Sequence, residues 1–435
     1  MSIIKPGAAA PSTAGTTGTA GAGAGWKVLH AALFVLLLAN LRRQGLTCLV
    51  SAPVAKSSYK LSSPNDMNND FYTKYLQLIS NRVPAAGIET ILLTSSLTPA
   101  FHFFAHTTQN DLVTASLIQT GVYEKDSTTA LIQAIVCETA PDGNRPVVVL
   151  DMGANIGFHS LHMASCGATV VAFEASPDTA WLLQSSARLN GYYTTDTSHL
   201  LQQKGSSGSL LLIPRGLSNV TNTKGLRLSR HAKSPGMTSF VDAEKTPYGL
   251  KGGERGSALD VNIPMVRAAD VLDSLLLGTS SPSTKSTSTV SLKNKEHQQQ
   301  HGNTQYQLRL LKIDVEGYEY QALQGLDLDK YPFEYITLEF FPTLLQASGT
   351  DPAELLVYIW SHGYRFLKFD AAVKLEDYPE VEMTTSEQQP SLQNPNDNSN
   401  DKAAVYQWAQ HLMAQGRAAS GDDYHVNLLA KKMFY

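Results

Sequence analysis

Four consecutive apolar residues, Val147 to Leu150, run straight into Asp151-Met152-Gly153-Ala154-Asn155-Ile156-Gly157. An unbroken apolar run of strand length suits a strand covered on both faces, as in a parallel sheet. Pro146 opens the run, and the two glycines after it let the backbone turn sharply and come close to a ligand. A helix-sized stretch follows over 157–165, and its first N–H groups have no partner inside the helix. Strand, glycine turn and helix in this order place a ligand crevice at the carboxyl end of the strand. A tight turn with no ligand would carry the same letters, so the loop alone leaves its purpose open.

The rest of the chain repeats the pattern. Apolar runs at 168–173, 210–213, 308–313 and 335–340 read as further strands. Ser176-Pro177-Asp178 has the signature of a helix start, with a capping serine, proline in the first turn and an acid facing the helix dipole. Asn190-Gly191 is a usual stop. Strands alternating with helices predict right-handed βαβ units and an α/β fold with a mostly parallel sheet. Upstream, 71–139 reads as helical with a loop near 95–99, and the spacing over 128–137 is that of a helix packed on one face.

A second acid narrows the ligand. Glu174 directly follows the strand 168–173, where a carboxylate can reach ribose hydroxyls. The loop lacks the GxGxxG pattern of a dinucleotide site, which disfavours a nicotinamide-dependent oxidoreductase. It opens instead on Asp151, an acid unsuited to phosphate and suited to a cationic amino-acid end. The pair predicts an adenosine-bearing ligand.

Asp151-Met-Gly-Ala-Asn-Ile-Gly-Phe-His-Ser-Leu resembles the first motif of the FkbM family of methyltransferases, and Leu311-Lys-Ile-Asp-Val-Glu-Gly-Tyr-Glu resembles its second hallmark. Weaker likenesses lie in order around them: Gly121-Val-Tyr-Glu124, Gly216-Leu-Ser-Asn219, Gly236-Met-Thr-Ser239, Ala269-Asp-Val-Leu-Asp273 and Leu338-Glu-Phe-Phe-Pro342. The resemblance runs over about 121–370, with Asn427-Leu-Leu-Ala as a candidate closing strand. It implies a class I, Rossmann-like, seven-stranded α/β sheet and S-adenosyl-L-methionine as cofactor. It implies a methyltransferase acting on a hydroxyl of a sugar or small molecule; the alternative is a degenerate domain that binds cofactor or acceptor without transfer. By the same resemblance Asp151, Gly153, Ala154, Asn155 and Gly157 shape the methionine pocket, Glu174 holds the ribose, and Ser218 and Asn219 lie near the adenine.

Asp314, Glu316 and Glu339 are carboxylates at strand ends facing the same crevice, and are the candidate catalytic residues. Methyl transfer to an alcohol needs its proton taken, which a carboxylate within about 2.6–3.2 Å can do. Three carboxylates are also the oxygen ligands a hard divalent cation takes, but no metal is assigned. His159 and His162 stand one helical turn apart without an evident third ligand and read as packed helix residues. Lys312, inside an apolar strand, reads as structural.

The flanks and inserts differ in composition. Residues 1–25 are low-complexity, 26–50 carry an apolar run at 28–41 closed by Arg42-Arg43, and 51–70 read as a stalk, leaving 71–435 for the enzyme domain. The run is short for a bilayer core, which takes about 17–25 residues. It reads as a single-pass membrane anchor of secretory-pathway type, with a cleaved signal or organelle-targeting peptide as the alternative. Inserts at 278–305 and 384–402 are too polar to offset their ordering entropy and are expected to be disordered surface loops. With a net charge of -4 and no basic patch, nucleic acid is not an expected partner; a small-molecule or glycan acceptor is. Cys48, Cys137 and Cys166 form no CxxC pair and predict no disulfide framework.

Overall fold

The structure, a computed structural model, describes residues 90–106, 111–138, 145–195, 208–230, 238–239, 257–276, 306–368, 375–381, 398–420 and 424–433, all within the compact unit Tyr59–Tyr435. The low-complexity start, the apolar run 28–41, the stalk and the insert 278–305 lie outside these residues. Among the described residues no helix is long and apolar enough to cross a membrane.

The strands are β1 (Thr90–Thr94), β2 (His102–His106), β3 (Val147–Met152), β4 (Thr169–Phe173), β5 (Ser209–Ile213), β6 (Gly216–Leu217), β7 (Asn222–Arg230), β8 (Thr238–Ser239), β9 (Ser257–Val266), β10 (Gln307–Ile313), β11 (Tyr335–Phe340), β12 (Tyr364–Leu367) and β13 (Val426–Lys432). The helices are α1 (Leu112–Thr120), α2 (Thr128–Ile132, continued as a π-helix over Gln133–Cys137), α3 (Phe158–Ser165), α4 (Pro177–Leu189), α5 (Ala268–Leu276), α6 (Glu319–Gln324), α7 (Pro342–Ala347), α8 (Pro352–Ser361) and α9 (Asn398–Ser420).

Seven strands form the central sheet in the order β12-β13-β11-β10-β3-β4-β5. The pairs β5/β4, β4/β3, β3/β10 and β10/β11 are parallel, and β13 runs antiparallel between β11 and β12. This is the expected mixed α/β architecture with a mostly parallel seven-stranded sheet. The apolar runs are explained by burial on both faces. Leu150 and Met152 of β3 join one core layer with Leu311 and Ile313 of β10, while Val149 and Leu310 join the other. Chain order reverses between β3 and β10, since β3 leads to β4 and β5 on one side and β10 leads to β11 on the other. That switch point leaves a crevice at the carboxyl ends of the two strands.

Three expectations are corrected. The stretch 71–139 is not helical throughout, because β1 and β2 form a hairpin within it. Short apolar runs such as Phe103-Phe104-Ala105 are ambiguous by periodicity. Tertiary packing decides here: Phe101 and Phe103 are buried against Phe158, with ring centroids 5.3 and 5.5 Å away. The β2 edge is tied to α4 through Phe104 N–H to Ser186 Oγ and His102 N–H to Asn190 Oδ1, both 2.9 Å. Second, α9 begins at Asn398, so the last residues of the polar segment 384–402 are helical; residues 384–397 lie outside the described residues. Val405, Ala409 and Met413 recur at helical spacing and bury one face of α9 in the core.

Third, Cys137 and Cys166 are disulfide-bonded, with Cα atoms 5.0 Å apart. The bond joins the end of the π-helix to the end of α3 across 29 residues of sequence. Thiol titration of the unfolded, unreduced protein should therefore find one free thiol, and three after reduction. Replacing both cysteines with serine should lower stability by about 2–4 kcal/mol, read by chemical denaturation.

Candidate active site

The loop after β3 is held from three directions. Gly153 N–H and Ala154 N–H donate to the Phe173 carbonyl of β4, at 3.1 and 2.8 Å, and Asp314 N–H donates to the Met152 carbonyl at 2.9 Å. Gly153 has φ +86°, and a Cβ there would meet the Asp314 carbonyl oxygen at 1.7 Å. Glycine is required because the ends of β3 and β10 nearly touch. At Gly157, φ +90°, a Cβ would meet Leu183 of α4 at 2.1 Å. Both glycines are set by the approach of protein to protein, where the sequence suggested approach of a ligand.

Glu174 ties the loop to the next helix. One carboxylate oxygen accepts Asn155 N–H at 2.7 Å; the other accepts Ser176 N–H at 2.7 Å and the Thr179 hydroxyl at 2.8 Å. Burial pushes its carboxyl up, and these three bonds pull it back. Ser176 is the N-cap residue of α4, yet its hydroxyl makes no capping bond; Glu174 takes over part of that task. Asn155 sits in the left-handed region, φ +51°, with its side-chain oxygen accepting Ile156 N–H at 2.8 Å.

A crevice opens at this end of the sheet, beside the loop after β3. It is lined by Gly153, Asn155 and Glu174 from beyond β3 and β4, and by Asp314, Glu316 and Tyr318 from beyond β10. Phe173, Leu217 and Leu228 supply apolar surface, with the buried Arg215 beside them. Five of the residues named from sequence thus meet here. The others do not. Ala154 is buried under the loop. Ser218 and Asn219 turn away: their side chains bond each other at 3.3 Å, and Asn219 donates to Gln324 at 3.1 Å. Leu217 and Arg215, just before them, face the crevice instead.

Asp151 is the largest correction. It is fully buried, accepts the Ser160 hydroxyl of α3 at 2.6 Å and forms an ion pair with Lys312 Nζ at 3.2 Å. The two residues are register partners on β3 and β10, so their side chains leave the sheet on one face. Lys312 also reaches the Gly153 carbonyl at 3.2 Å and Asp314 at 3.4 Å. Burial alone would pull the Lys312 ammonium down; Asp151, Asp314 and Glu124 outweigh it and hold the pKa above the ordinary lysine value.

Around Asp314 gathers a cluster of acidic side chains. Glu339, near the end of β11, has its carboxyl pushed well up by burial and then by the Asp314 charge. Glu316 is raised well above the usual range for the same two reasons. Sequence reasoning assigned no role to Tyr123 and Glu124, which close this side from the segment before α2. Burial and then Asp314 raise Glu124, and burial raises the Tyr123 phenol. The signal available was the weak motif likeness at 121–124. His159, the Tyr123 ring 5.8 Å away, is kept neutral by burial first and Lys312 second. Glu124, Asn155 and Glu316 all have positive φ (48°, 51° and 53°), and backbone strain of this kind gathers where a site over-determines its geometry. Among the described residues, three metal-ligating side chains come within 4.8 Å of one another at Cys137, His162 and Cys166, where the two sulfurs are bonded to each other.

Residues 151–366 match the family model described as the methyltransferase FkbM domain. No curated protein matches the chain. A solved structure titled as a SAM dependent methyltransferase from Agrobacterium tumefaciens is 20% identical; the alignment covers 30% of this chain and 34% of that one, with a TM-score of 0.19. The chain therefore spans about a third of that protein's length, an overlap that carries no statement about fold or activity.

Two outcomes follow from this geometry. Glu174→Ala orphans two N–H groups and a hydroxyl besides removing a crevice carboxylate. Its affinity for S-adenosylhomocysteine should fall by about 1.5–3 kcal/mol, measured by calorimetry, with a lower melting temperature. Glu319 accepts Gly317 N–H at 3.0 Å and Val315 N–H at 3.2 Å, and burial still pushes its carboxyl from 4.5 up to about 7. A carboxyl raised on folding stabilises most below its unfolded pKa, and that contribution is lost as pH rises through 7. Glu319→Gln should flatten the decline in stability between about pH 5 and 8, by at most on the order of 3 kcal/mol. Denaturation series at several pH values read it.

Proposed function

We propose, from the premise that residues 151–366 are a methyltransferase FkbM domain, that the chain transfers a methyl group from S-adenosyl-L-methionine to a hydroxyl oxygen of a sugar or other small polyhydroxylated acceptor. The observation that carries this reading is the position of Asp314. It lines the crevice beside the loop after β3, and its charge acts on Glu316 and Glu339, so one carboxylate joins the crevice to the acidic cluster.

The crevice suits the cofactor by its donor set. Glu174 stands at a strand end where a carboxylate can accept ribose hydroxyls. Phe173, Leu217 and Leu228 offer apolar surface to a purine, and Asp314 and Glu316 line the wall suited to a cationic end. When bound, S-adenosylmethionine supplies a methyl group on a positively charged sulfur. The protein's part is position and proton handling. Holding two reactants in line is worth a large share of the barrier. Asp314, with the fixed Lys312 cation at its side, is placed to take the hydroxyl proton as the acceptor oxygen bonds to carbon. Glu316 and Glu339, both held towards their protonated forms, donate hydrogen bonds to the acceptor's other oxygens. The apolar run 28–41 would tether the domain to a membrane of the secretory pathway, a reading that rests on its composition.

The test is transfer of radiolabelled methyl from S-adenosylmethionine into a panel of mono- and oligosaccharides and small polyols. Binding of S-adenosylhomocysteine without transfer to any acceptor would instead favour a degenerate domain. Asp314→Asn should keep the melting temperature and lower turnover about 10²-fold or more, the scale of a lost positioned base. Normal turnover in that variant would remove Asp314 from the chemistry.

A further inference from the structure

Lys312 occupies a position that a plain core lysine has no reason to hold. It lies in the middle layer of a parallel sheet, on β10, with apolar neighbours Leu311 and Ile313 on the opposite face. Its side chain is 5% exposed. A buried ammonium needs compensation, and a single carboxylate, Asp151, would provide it. Instead the ammonium reaches three groups at once: Asp151 at 3.2 Å, the Gly153 carbonyl at 3.2 Å and Asp314 at 3.4 Å. The last two belong to residues that line the crevice, one on the loop after β3 and one at the end of β10. Asp151 is itself anchored, by Ser160 at the start of α3.

We propose that Lys312 is a positioning residue that fixes the Asp314 carboxylate relative to the loop after β3. Asp151 is then the anchor of the lysine and has no direct role towards the ligand. This deepens the methyltransferase reading above and rests on it.

The difficulty of testing a buried ion pair is that removing one partner strands the other without compensation. Lys312→Met alone should therefore melt early. The informative protein is the full chain carrying Lys312→Met together with Asp151→Asn, which removes both charges. Its melting temperature should return close to that of the wild type. S-adenosylhomocysteine should nevertheless bind about tenfold more weakly, because the loop carbonyl and Asp314 have lost a charged partner. Methyl transfer at saturating S-adenosylmethionine should fall about 10²-fold, the scale of a small misplacement of a reacting group. The loss should appear in kcat more than in the acceptor KM. A lysine that merely neutralises Asp151 predicts recovery of affinity and turnover along with melting temperature, and that result would overturn the proposal. A double variant that does not fold would assign Lys312 to the fold and overturn it too. Wild-type protein that binds S-adenosylhomocysteine but methylates nothing would sink the enzyme reading alone; the calorimetric comparison then decides Lys312 by itself. Wild-type protein that fails to bind S-adenosylhomocysteine removes the premise and the proposal together.

Discussion

A lysine and an aspartate paired across two parallel strands, with almost no access to water, hold the centre of this structure. Asp151 and Lys312 face one another on β3 and β10, the strands between which the sheet changes direction. Neither charge is tolerable alone at that depth, and the pair by itself is no guarantee of stability, since desolvation offsets much of the attraction. Their value lies in what they fix. The loop after β3, the start of α3 and the carboxyl end of β10 are all bonded to this pair. A hydrophobic pair of similar size would fill the space, but it would offer nothing to the Gly153 carbonyl or to Asp314.

Around that centre the loop is a compromise between strand ends. Gly153 leaves no room for a side chain because the Asp314 backbone occupies it. The same closeness brings Asp314 into the wall of the crevice. Glu174 completes the frame from β4, spending its lone pairs on Asn155, Ser176 and Thr179. This side of the crevice is thus held by the protein's own hydrogen bonds. Pre-formed polar groups need little reorganisation on binding, which is where such sites gain their advantage.

The acidic cluster follows a different logic. Glu124, Glu316 and Glu339 crowd Asp314, and burial with mutual repulsion drives their carboxyls upward. Carboxyl groups that keep their protons can donate hydrogen bonds, while a carboxylate beside a fixed cation can accept them. Tyr123 and Glu124, from before the family-matched stretch, add to this cluster, and the Asp314 charge acts on both.

Much of this was legible in the chain. The apolar runs at β3, β4, β5, β10 and β11, each followed by a polar or glycine break, specify a parallel sheet because strands buried on both faces cannot alternate. Glu174, Asp314, Glu316 and Glu339 stand directly after or at the end of those runs, so their arrival at one rim follows from topology. The hairpin β1–β2 and the disulfide were not legible, because a short apolar run and two cysteines 29 residues apart acquire partners only through packing. The same holds for roles. Asp151 read as a ligand residue and became a buried anchor, and of the two residues read as lying near the adenine, Ser218 bonds Asn219 and Asn219 turns to Gln324. Sequence determined which residues reach the rim, since strand period and strand ends are local properties. Which way each side chain then faces was decided by the neighbours across the sheet, and those are distant in the chain.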